Sequence, residues 1–496
     1  MTYGTYKKSK KPAIIVPTQR VIRAWSSYQQ DIFNEIASGN GNVHVEAVAG
    51  SGKTTTIVEG FHHMKPNLNA LMVAFAKPIQ VELEKRAPKS VNVKTLHSLG
   101  LAACKRAFPN LNDFKTIDSK REKLTGYIKA ERGDDSETWE IRAALADTVS
   151  LAKGYLAFTP QEIGVIIDRH GVDTGTDNRQ EFIATVLKVM DATKKDTSRV
   201  DFDDMIWLPI VLGLRLEQYD YVFIDEAQDL NNCQISLALE SCKPGGRILS
   251  VGDTRQAIYA FRGADENAIN NIVTRMDSKI LPLSVTYRCA KAIAQLAQTI
   301  VPHFEYPDSA EDGMVENIGS NHVTGMVGPG DFILSRTNAP LIGWCLQLIR
   351  ERIPANIKGR DVAKGLLALI KNSNVTSVSA FLEWLADWES GEVERLVKLK
   401  RDSSIVSDKA ECLEFLCENM RTLDEVKQSI DKLFYEGDDD KDRVILSTTH
   451  KAKGLERDRV FMLNYTYKPS KSVEESNLAY VAITRAKREL YLVAKL

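Results

Sequence analysis

The sequence lacks any apolar stretch close to the roughly 20 residues that a membrane-spanning helix requires. Its N-terminus carries Lys7, Lys8, Lys10 and Lys11 without the apolar core of a signal peptide, so we expect a cytoplasmic protein with no membrane contact. The seven cysteines are odd in number and form no CxxC pair, which argues against a disulfide framework and a zinc site. Because the formal net charge is −1, any nucleic-acid surface must be a local groove.

The chain of 496 residues has an ordinary globular composition, with 43% hydrophobic and 26% charged residues. This length exceeds what one hydrophobic core fills, so we expect roughly three to four structural units. Short apolar runs that end in polar turns lie at 43–48, 70–75, 220–225, 247–252, 331–335, 443–447 and 459–464. Runs of this length, alternating with helical patterns, predict buried parallel strands and therefore an α/β fold.

Two stretches break this alternation. Residues 102–198 and 346–440 have helical spacing and many charges, and neither contains a convincing buried strand. We interpret both as mainly helical insertions within two α/β domains. The first domain would comprise residues 12–101 and 199–282, and the second would comprise residues 283–345 and 441–496.

A glycine-rich loop follows the first predicted strand and precedes a helical pattern. It contains Ala49, Gly50, Ser51, Gly52, Lys53, Thr54 and Thr55. Glycines allow backbone N–H groups to close around phosphate oxygens, and the N-terminus of the next helix adds its positive dipole. Lys53 is placed to reach the β- and γ-phosphates, and the Thr54 hydroxyl to bind Mg²⁺. Although Ala47 stands where the general pattern has glycine, the loop predicts ATP or GTP binding.

A pair of acids, Asp225 and Glu226, ends the predicted strand at 220–225. Ligands of an α/β sheet bind at the carboxyl ends of its strands, so we expect both side chains beside the phosphate loop. Asp225 is predicted to hold Mg²⁺ through water, and Glu226 to polarise the attacking water. Taken alone, the pair also fits solvated caps at a strand end.

These motifs, together with further blocks along the chain, resemble the UvrD/Rep/PcrA group of superfamily 1 DNA helicases. The resemblance is strong over residues 25–100, 200–290 and 441–496. It implies two RecA-like parallel-sheet domains that clamp one ATP with its Mg²⁺ and carry DNA across their surface. It also implies that Gln29 reads the adenine, a role that competes with a helix capping box, and that Gln256 senses the γ-phosphate.

The resemblance assigns further nucleotide contacts to the second domain. Tyr287 would stack on the adenine, and Arg288 would contact the γ-phosphate. Arg485 would act as an arginine finger, which stabilises the negative charge of the transition state, and Glu456 would bond the ribose. Because these groups come from the second domain, hydrolysis would depend on closure of the two domains.

The resemblance also implies a set of DNA contacts. They are Phe75, Lys77, Thr95, His97, Tyr259, Phe261, Arg262, Thr448 and His450. Aromatic rings stack on bases without reading sequence, while hydroxyl, imidazole and cationic groups suit phosphates. For the aromatic pair Tyr259 and Phe261, the alternative is core packing, and for His97 it is a structural role.

The function implied by the resemblance is an ATP- and Mg²⁺-dependent helicase that moves along single-stranded DNA with 3′→5′ polarity and unwinds duplex. Its expected partners are single-stranded and forked or partial duplex DNA, and a single-strand-binding, replication or recombination protein. The alternative from another class is a nucleotide-gated clamp on single-stranded DNA, or a translocase that strips proteins without unwinding. Replication, recombination and repair are all compatible with the motifs.

Overall fold

The computed structural model describes residues 25–111, 124–129, 139–174, 178–258, 268–398, 403–418, 420–435 and 441–495. Two parallel sheets with surrounding helices make up this part of the chain, which confirms the predicted α/β fold with two RecA-like domains. We refer to residues 25–283, which carry the first sheet, as the first half. Residues 284–495, which carry the second sheet, are the second half.

The first sheet contains β1 (Val43–Ala47), β2 (Ala70–Ala74), β3 (Val91–Thr95), β4 (Tyr219–Ile224), β5 (Cys242–Gly252) and β6 (Lys279–Leu283). Its strands pair in parallel in the order β3-β2-β4-β5-β1-β6. The four strands predicted in this half are confirmed as β1, β2, β4 and β5. The two strands that the apolar runs did not predict, β3 and β6, lie at the edges, where half-exposed strands need no continuous apolar run.

The second sheet contains β7 (Met314–Gly319), β8 (Phe332–Ser335), β9 (Ala355–Lys358), β10 (Phe434–Tyr435), β11 (Val444–Thr448), β12 (Arg457–Met462) and β13 (Ala486–Ala494). These strands pair in parallel in the order β10-β9-β11-β8-β12-β13-β7. The predictions at 331–335, 443–447 and 459–464 are confirmed as β8, β11 and β12, within about two residues at each end.

One detail of the range 346–440 was predicted wrongly. β9 and β10 lie inside it, and β9 is a buried strand that pairs with β11, with Ala355 opposite Val444. β9 is only four residues long and includes Asn356 and Lys358, so the sequence shows no apolar run there. The division of the chain into domains stays a prediction.

The described helices of the first half are Ser27–Ser38, Lys53–Gly60, Lys77–Arg86, Leu96–Ala107, a helical segment at 124–129, Trp139–Tyr155, Pro160–Arg169, Arg179–Lys195, Phe202–Val211, Asn232–Glu240 and Ala268–Met276. Those of the second half are Lys291–Gln298, Val323–Met326, Ala339–Arg350, Arg360–Asn372, Val378–Lys398, Ser404–Glu418, Leu423–Leu433, Thr449–Ala452 and Val473–Ile483. Every element described within 102–198 is helical, as predicted. No helix in the described part of the chain is long and apolar enough to cross a bilayer.

Hydrophobic clusters tie the insertions to the sheets and bring the two halves together. Val73 of the first sheet shares one core with Val149 and Val186 of the helical stretch 102–198. A different cluster joins Ala49 of the phosphate loop to Tyr480 of the second half. Burial of one such side chain stabilises the fold by about 1.5–3 kcal/mol. The phosphate loop therefore lies at the packed contact between the halves.

Candidate active site

The phosphate loop has the backbone conformation that its glycines allow. Gly50 has φ +75° and Gly52 has φ +81°, in the left-handed region that glycine adopts without strain. A Cβ atom on Gly50 would lie 2.5 Å from Cβ of Arg288 and 2.6 Å from Oγ1 of Thr286, so the second half packs closely against the loop. Ser51 Oγ is buried and makes no hydrogen bond to any residue that the structure describes, which fits a loop built around a ligand.

The strand ends bring the predicted acids to this loop. Thr54 Oγ1 donates a hydrogen bond of 3.0 Å to Asp225 Oδ2, so the two predicted Mg²⁺ ligands face one another. Lys53 Nζ lies 3.7 Å from Glu226 Oε2. Glu226 has φ +50°, a left-handed conformation that is costly for a residue with a side chain and is found most often at functional sites.

Burial and charge shift the pKa values of these groups in different directions. Burial opposes the charged form of Lys53, but Glu226, Asp253 and Asp225 outweigh it and raise the pKa. Burial and the neighbouring Glu226 raise the pKa of Asp225. Burial also works against the Glu226 carboxylate, yet Lys53 and Lys453 hold its pKa below the ordinary value. Of the two acids, Glu226 is therefore the stronger candidate for an anionic base.

Arg485 approaches this pocket from the second half. Its side chain is 1% exposed, and its Nε and Nη1 donate to the carbonyls of Val481 (2.9 Å) and Leu455 (3.2 Å). Burial and the charge of Arg288 lower the pKa of Arg485 to about 9, so the side chain is cationic at neutral pH. Its charge helps to lower the pKa of Glu226, which places Arg485 within electrostatic range of the Lys53 pocket.

Arg288 belongs to the second half and packs against the phosphate loop. Its Nη1 donates to the Thr484 carbonyl (3.3 Å), and its Nε lies 2.5 Å from Glu456 Oε2. The charge of Arg288 acts on Lys53, where it opposes the raised pKa. Glu456 also pairs with Lys487 at 2.9 Å, so this carboxylate is engaged by two cations, and its contact with a ribose stays a prediction.

The residues predicted to contact the base flank the same loop. Gln29 is buried and donates from Nε2 to Thr56 Oγ1 (2.9 Å), while its Oε1 accepts from the Ser26 N–H (3.1 Å). The capping box that competes with the nucleotide role is therefore present. The backbone N–H of Tyr287 donates to the Gly50 carbonyl (2.9 Å). The half-exposed Tyr287 side chain lines a cavity of about 470 Å³ that Arg288 also lines.

Gln256 lies in a network that joins the halves. Its Nε2 donates to Asp253 Oδ2 (2.7 Å), and its carbonyl accepts from Lys453 Nζ (2.8 Å). Lys453 Nζ also lies 2.7 Å from both carboxylate oxygens of Asp229. Sequence reasoning gave no role to Asp229, Asp253, Lys453 or Tyr480. Each one lies within the segments 200–290 and 441–496, where the family resemblance is strong, and this location was the available signal.

The predicted nucleic-acid contacts of the first half follow strand ends. Phe75 comes directly after β2 and is 46% exposed, and Lys77 begins the next helix. Thr95 ends β3 and caps the following helix by accepting from the Ser98 N–H (3.2 Å). The His97 ring packs edge-on against the exposed Phe202 ring at 5.7 Å, and burial lowers the pKa of His97.

Only some of the remaining predicted DNA contacts lie within the described residues. Thr448 ends β11 and is buried, and His450 lies in the short helix Thr449–Ala452 that follows. The predicted contacts at 259, 261 and 262 (Tyr259, Phe261 and Arg262) lie outside the described residues. The structure thus brings Tyr287 and Arg288 of the second half against the phosphate loop, where Asp225 and Glu226 also lie, and the nucleotide and DNA roles of these residues both stay predictions.

Comparisons with known proteins agree with this geometry. The UvrD/REP helicase N-terminal domain model matches residues 28–277, and the UvrD-like helicase C-terminal domain model matches residues 369–495. The chain is similar to F-box DNA helicase protein 1 of Schizosaccharomyces pombe, with 26% identity over 90% of this chain and 55% of the relative. It is similar to ATP-dependent DNA helicase PcrA of Leuconostoc citreum, with 26% identity over 54% of this chain and 38% of the relative.

A third relative is F-box DNA helicase 1 of Gallus gallus, with 25% identity over 94% of this chain and 48% of the relative. The chain thus spans about half the length, or less, of the curated relatives it matches. The matched family models cover both the phosphate loop and the segment that carries Arg485.

Proposed function

Since the chain belongs to the UvrD/REP helicase family, we propose that it is an ATP- and Mg²⁺-dependent DNA helicase that moves along single-stranded DNA and unwinds duplex. One observation gives the proposal its main support. The second half packs directly on the phosphate loop: a Cβ atom on Gly50 would lie 2.5 Å from Cβ of Arg288, and the Tyr287 N–H donates to the Gly50 carbonyl (2.9 Å). A site that needs both halves links hydrolysis to their movement.

The first half binds the triphosphate. Backbone N–H groups of the loop and the Lys53 ammonium bind phosphate oxygens, and the buried Ser51 hydroxyl gains a partner when they do. Thr54 and Asp225, already in contact, are the oxygen ligands that would hold Mg²⁺. Mg²⁺ supplies charge neutralisation on the phosphate oxygens.

Hydrolysis needs a base on one side and cations on the other. Glu226, whose pKa is lowered, is the carboxylate that orients water and accepts its proton. Arg485 and Arg288 stabilise charge on the transferred phosphoryl group, an effect worth about 10³- to 10⁵-fold in rate. Because both arginines are anchored to second-half backbone carbonyls, they reach this position only when the halves are closed.

Movement follows from this dependence on closure. ATP draws the halves together, and loss of the γ-phosphate removes the bridge. A strand held in turn by first-half groups such as Phe75 and His97 and by second-half groups such as His450 advances in one direction. The 3′→5′ polarity is proposed from the family resemblance.

The proposed DNA contacts are to base faces and phosphates, so binding has little sequence preference and weakens with salt. The substrates are single-stranded DNA and forked or partial duplexes. A single-strand-binding, replication or recombination protein is the proposed protein partner. The proposed domain boundaries are those predicted from the sequence, with residues 12–101 and 199–282 in one motor domain and residues 283–345 and 441–496 in the other.

A forked-duplex unwinding assay tests the function. We expect ATP- and Mg²⁺-dependent release of a labelled strand from a fork with a 3′ tail, and no release with Lys53→Met, which removes the phosphate-binding ammonium. A chain that hydrolyses ATP on DNA and displaces a bound protein, but releases no strand, would support the stripping translocase instead. A chain that binds DNA in an ATP-dependent way without displacing strand or protein would support the clamp.

A further inference from the structure

Tyr480 lies where the two halves meet. It belongs to the second-half helix Val473–Ile483, its side chain is fully buried, and its ring packs edge-on against Phe304 at a centroid distance of 5.9 Å. Its phenol oxygen accepts a hydrogen bond from the Ala49 N–H of the phosphate loop (2.9 Å) and donates one to Asp253 Oδ2 (3.2 Å). One hydroxyl therefore joins the second half to two elements of the first half.

The hydrogen bonds continue from Asp253 to the predicted base. The Asp253 N–H donates to Gln228 Oε1 (3.1 Å), and Gln228 Nε2 donates to Glu226 Oε2 (2.6 Å). The same Asp253 oxygen that accepts from Tyr480 accepts from Gln256 Nε2 (2.7 Å). A path of buried or half-buried groups thus runs from a second-half phenol to a first-half carboxylate, and it crosses Asp253 from the side-chain carboxylate to the backbone N–H.

We propose that Tyr480 is a positioning residue, which orients Glu226 through Asp253 and Gln228 when the two halves close. The inference rests on the proposed function and adds to it a route by which closure prepares the base, separate from delivery of the arginines. A buried group that loses its hydrogen-bond partner carries a large penalty, so the phenol and its two partners favour one relative position of the halves.

The chemistry of Tyr480 suits this role. Burial and the negative charge of Asp253 raise the pKa of Tyr480 well above its ordinary value, so the phenol keeps the proton that it donates. Asp253 is itself 2% exposed, and the closely packed Phe304 ring limits access of water to the phenol. When the halves separate, Asp253 loses this side-chain donor while its N–H stays bonded to Gln228, so the effect on Glu226 passes through the position of the Asp253 backbone.

Replacement of Tyr480 by phenylalanine tests the proposal, because it removes the hydroxyl and keeps the ring in its cluster. We expect kcat for ATP hydrolysis to fall about 10- to 100-fold, the range for loss of a hydrogen bond to a charged group, while KM for ATP changes by less than about threefold. Tyr491→Phe is the matched control. It removes another buried phenol of the second half, one that bonds to Glu489 (2.8 Å), and should leave kcat within about twofold.

A double-mutant cycle separates positioning from general loss of structure. Tyr480→Phe combined with Gln228→Ala should lower kcat little more than the stronger single substitution, since both interrupt one path. Additive losses, or a kcat of Tyr480→Phe equal to that of the unsubstituted chain, would overturn the proposal. Each rate is measured with and without single-stranded DNA. If DNA does not stimulate hydrolysis by the unsubstituted chain, the proposed motor function is contradicted. The role of Tyr480 is tested separately, because Glu226 acts in hydrolysis with or without DNA.

Discussion

Two lysines of the first half, the buried Lys153 and the partly buried Lys53, face almost the same set of charges. Lys53 lies beside Glu226, Asp253 and Asp225, and Lys153 lies beside Asp204, Asp201 and Asp203. In both cases burial works against the cation, yet the carboxylates raise the pKa. The closest approach differs, at 3.7 Å from Lys53 Nζ to Glu226 and 2.6 Å from Lys153 Nζ to Asp204.

The difference separates a binding site from a structural pair. Lys153 joins the helices Trp139–Tyr155 and Phe202–Val211, and its side chain is 1% exposed. Its ammonium contacts Asp204 and lies over the Trp207 ring at 5.2 Å, so its charge is neutralised by groups of the fold itself. The Lys53 ammonium lies farther from its carboxylate than that of Lys153, and its side chain is 11% exposed. It is next to glycines in the left-handed conformation, whose N–H groups suit an anion. Burial and charge alone therefore do not identify the lysine that acts on a ligand.

Lys53→Met should have the largest effect on chemistry. Loss of the ammonium removes a phosphate contact in both ground and transition states, so kcat/KM for ATP should fall by about 10⁴-fold. Steady-state hydrolysis measures the loss of kcat/KM, and titration with a fluorescent ATP analogue measures the loss of ATP affinity. Normal ATP affinity in this variant would break the contrast with Lys153.

Glu226→Gln should act on turnover alone. The amide is nearly isosteric but accepts no proton from water, so kcat should fall by about 10³-fold while ATP affinity stays within about threefold. Single-turnover hydrolysis in excess enzyme is the appropriate measurement. A tenfold weaker affinity with unchanged single-turnover rate would show that Glu226 serves binding rather than catalysis.

Lys153→Met should act on stability alone. The substitution removes the ammonium that pairs with the buried Asp204 carboxylate, and we expect the unfolding free energy to fall by about 3–5 kcal/mol. Urea denaturation measures this loss. The folded fraction should retain its kcat. Lys195→Met is the control, because its pair with Asp191 is exposed, and it should change stability by less than about 0.5 kcal/mol. Equal losses in the two variants would contradict the structural role of Lys153.

A third lysine–carboxylate pair, Lys453 with Asp229, joins the halves and should show the smallest effect. Burial outweighs Lys453 and raises the pKa of Asp229 to about 6. Between about pH 4 and 6 the folded chain holds a proton that the unfolded chain has released, so the unfolding free energy falls as pH rises through this window. Asp229→Asn removes this contribution, which is at most about 3 kcal/mol. Parallel stability curves for the two proteins over this window would contradict the assignment.

The sequence predicted the parts of the site that are local. The phosphate loop and the acids after β4 follow from residue order, because a strand end fixes where the next side chains lie. Most central strands followed from apolar runs, whereas edge strands such as β6, short strands such as β9 and the interior strand β13, whose sequence carries Lys487, Arg488 and Glu489, did not. Contacts across hundreds of residues had no local pattern: the Tyr480 bonds to Ala49 and Asp253, and the Lys453 pair with Asp229, appear only when the halves are packed together.

We propose that both halves share one nucleotide and that DNA controls their closure. Steady-state ATP hydrolysis by the full chain, with and without single-stranded oligodeoxythymidylate, tests it most directly. We expect hydrolysis to be near background without DNA and to rise by more than about tenfold with it. Equal rates in the two conditions would contradict the account.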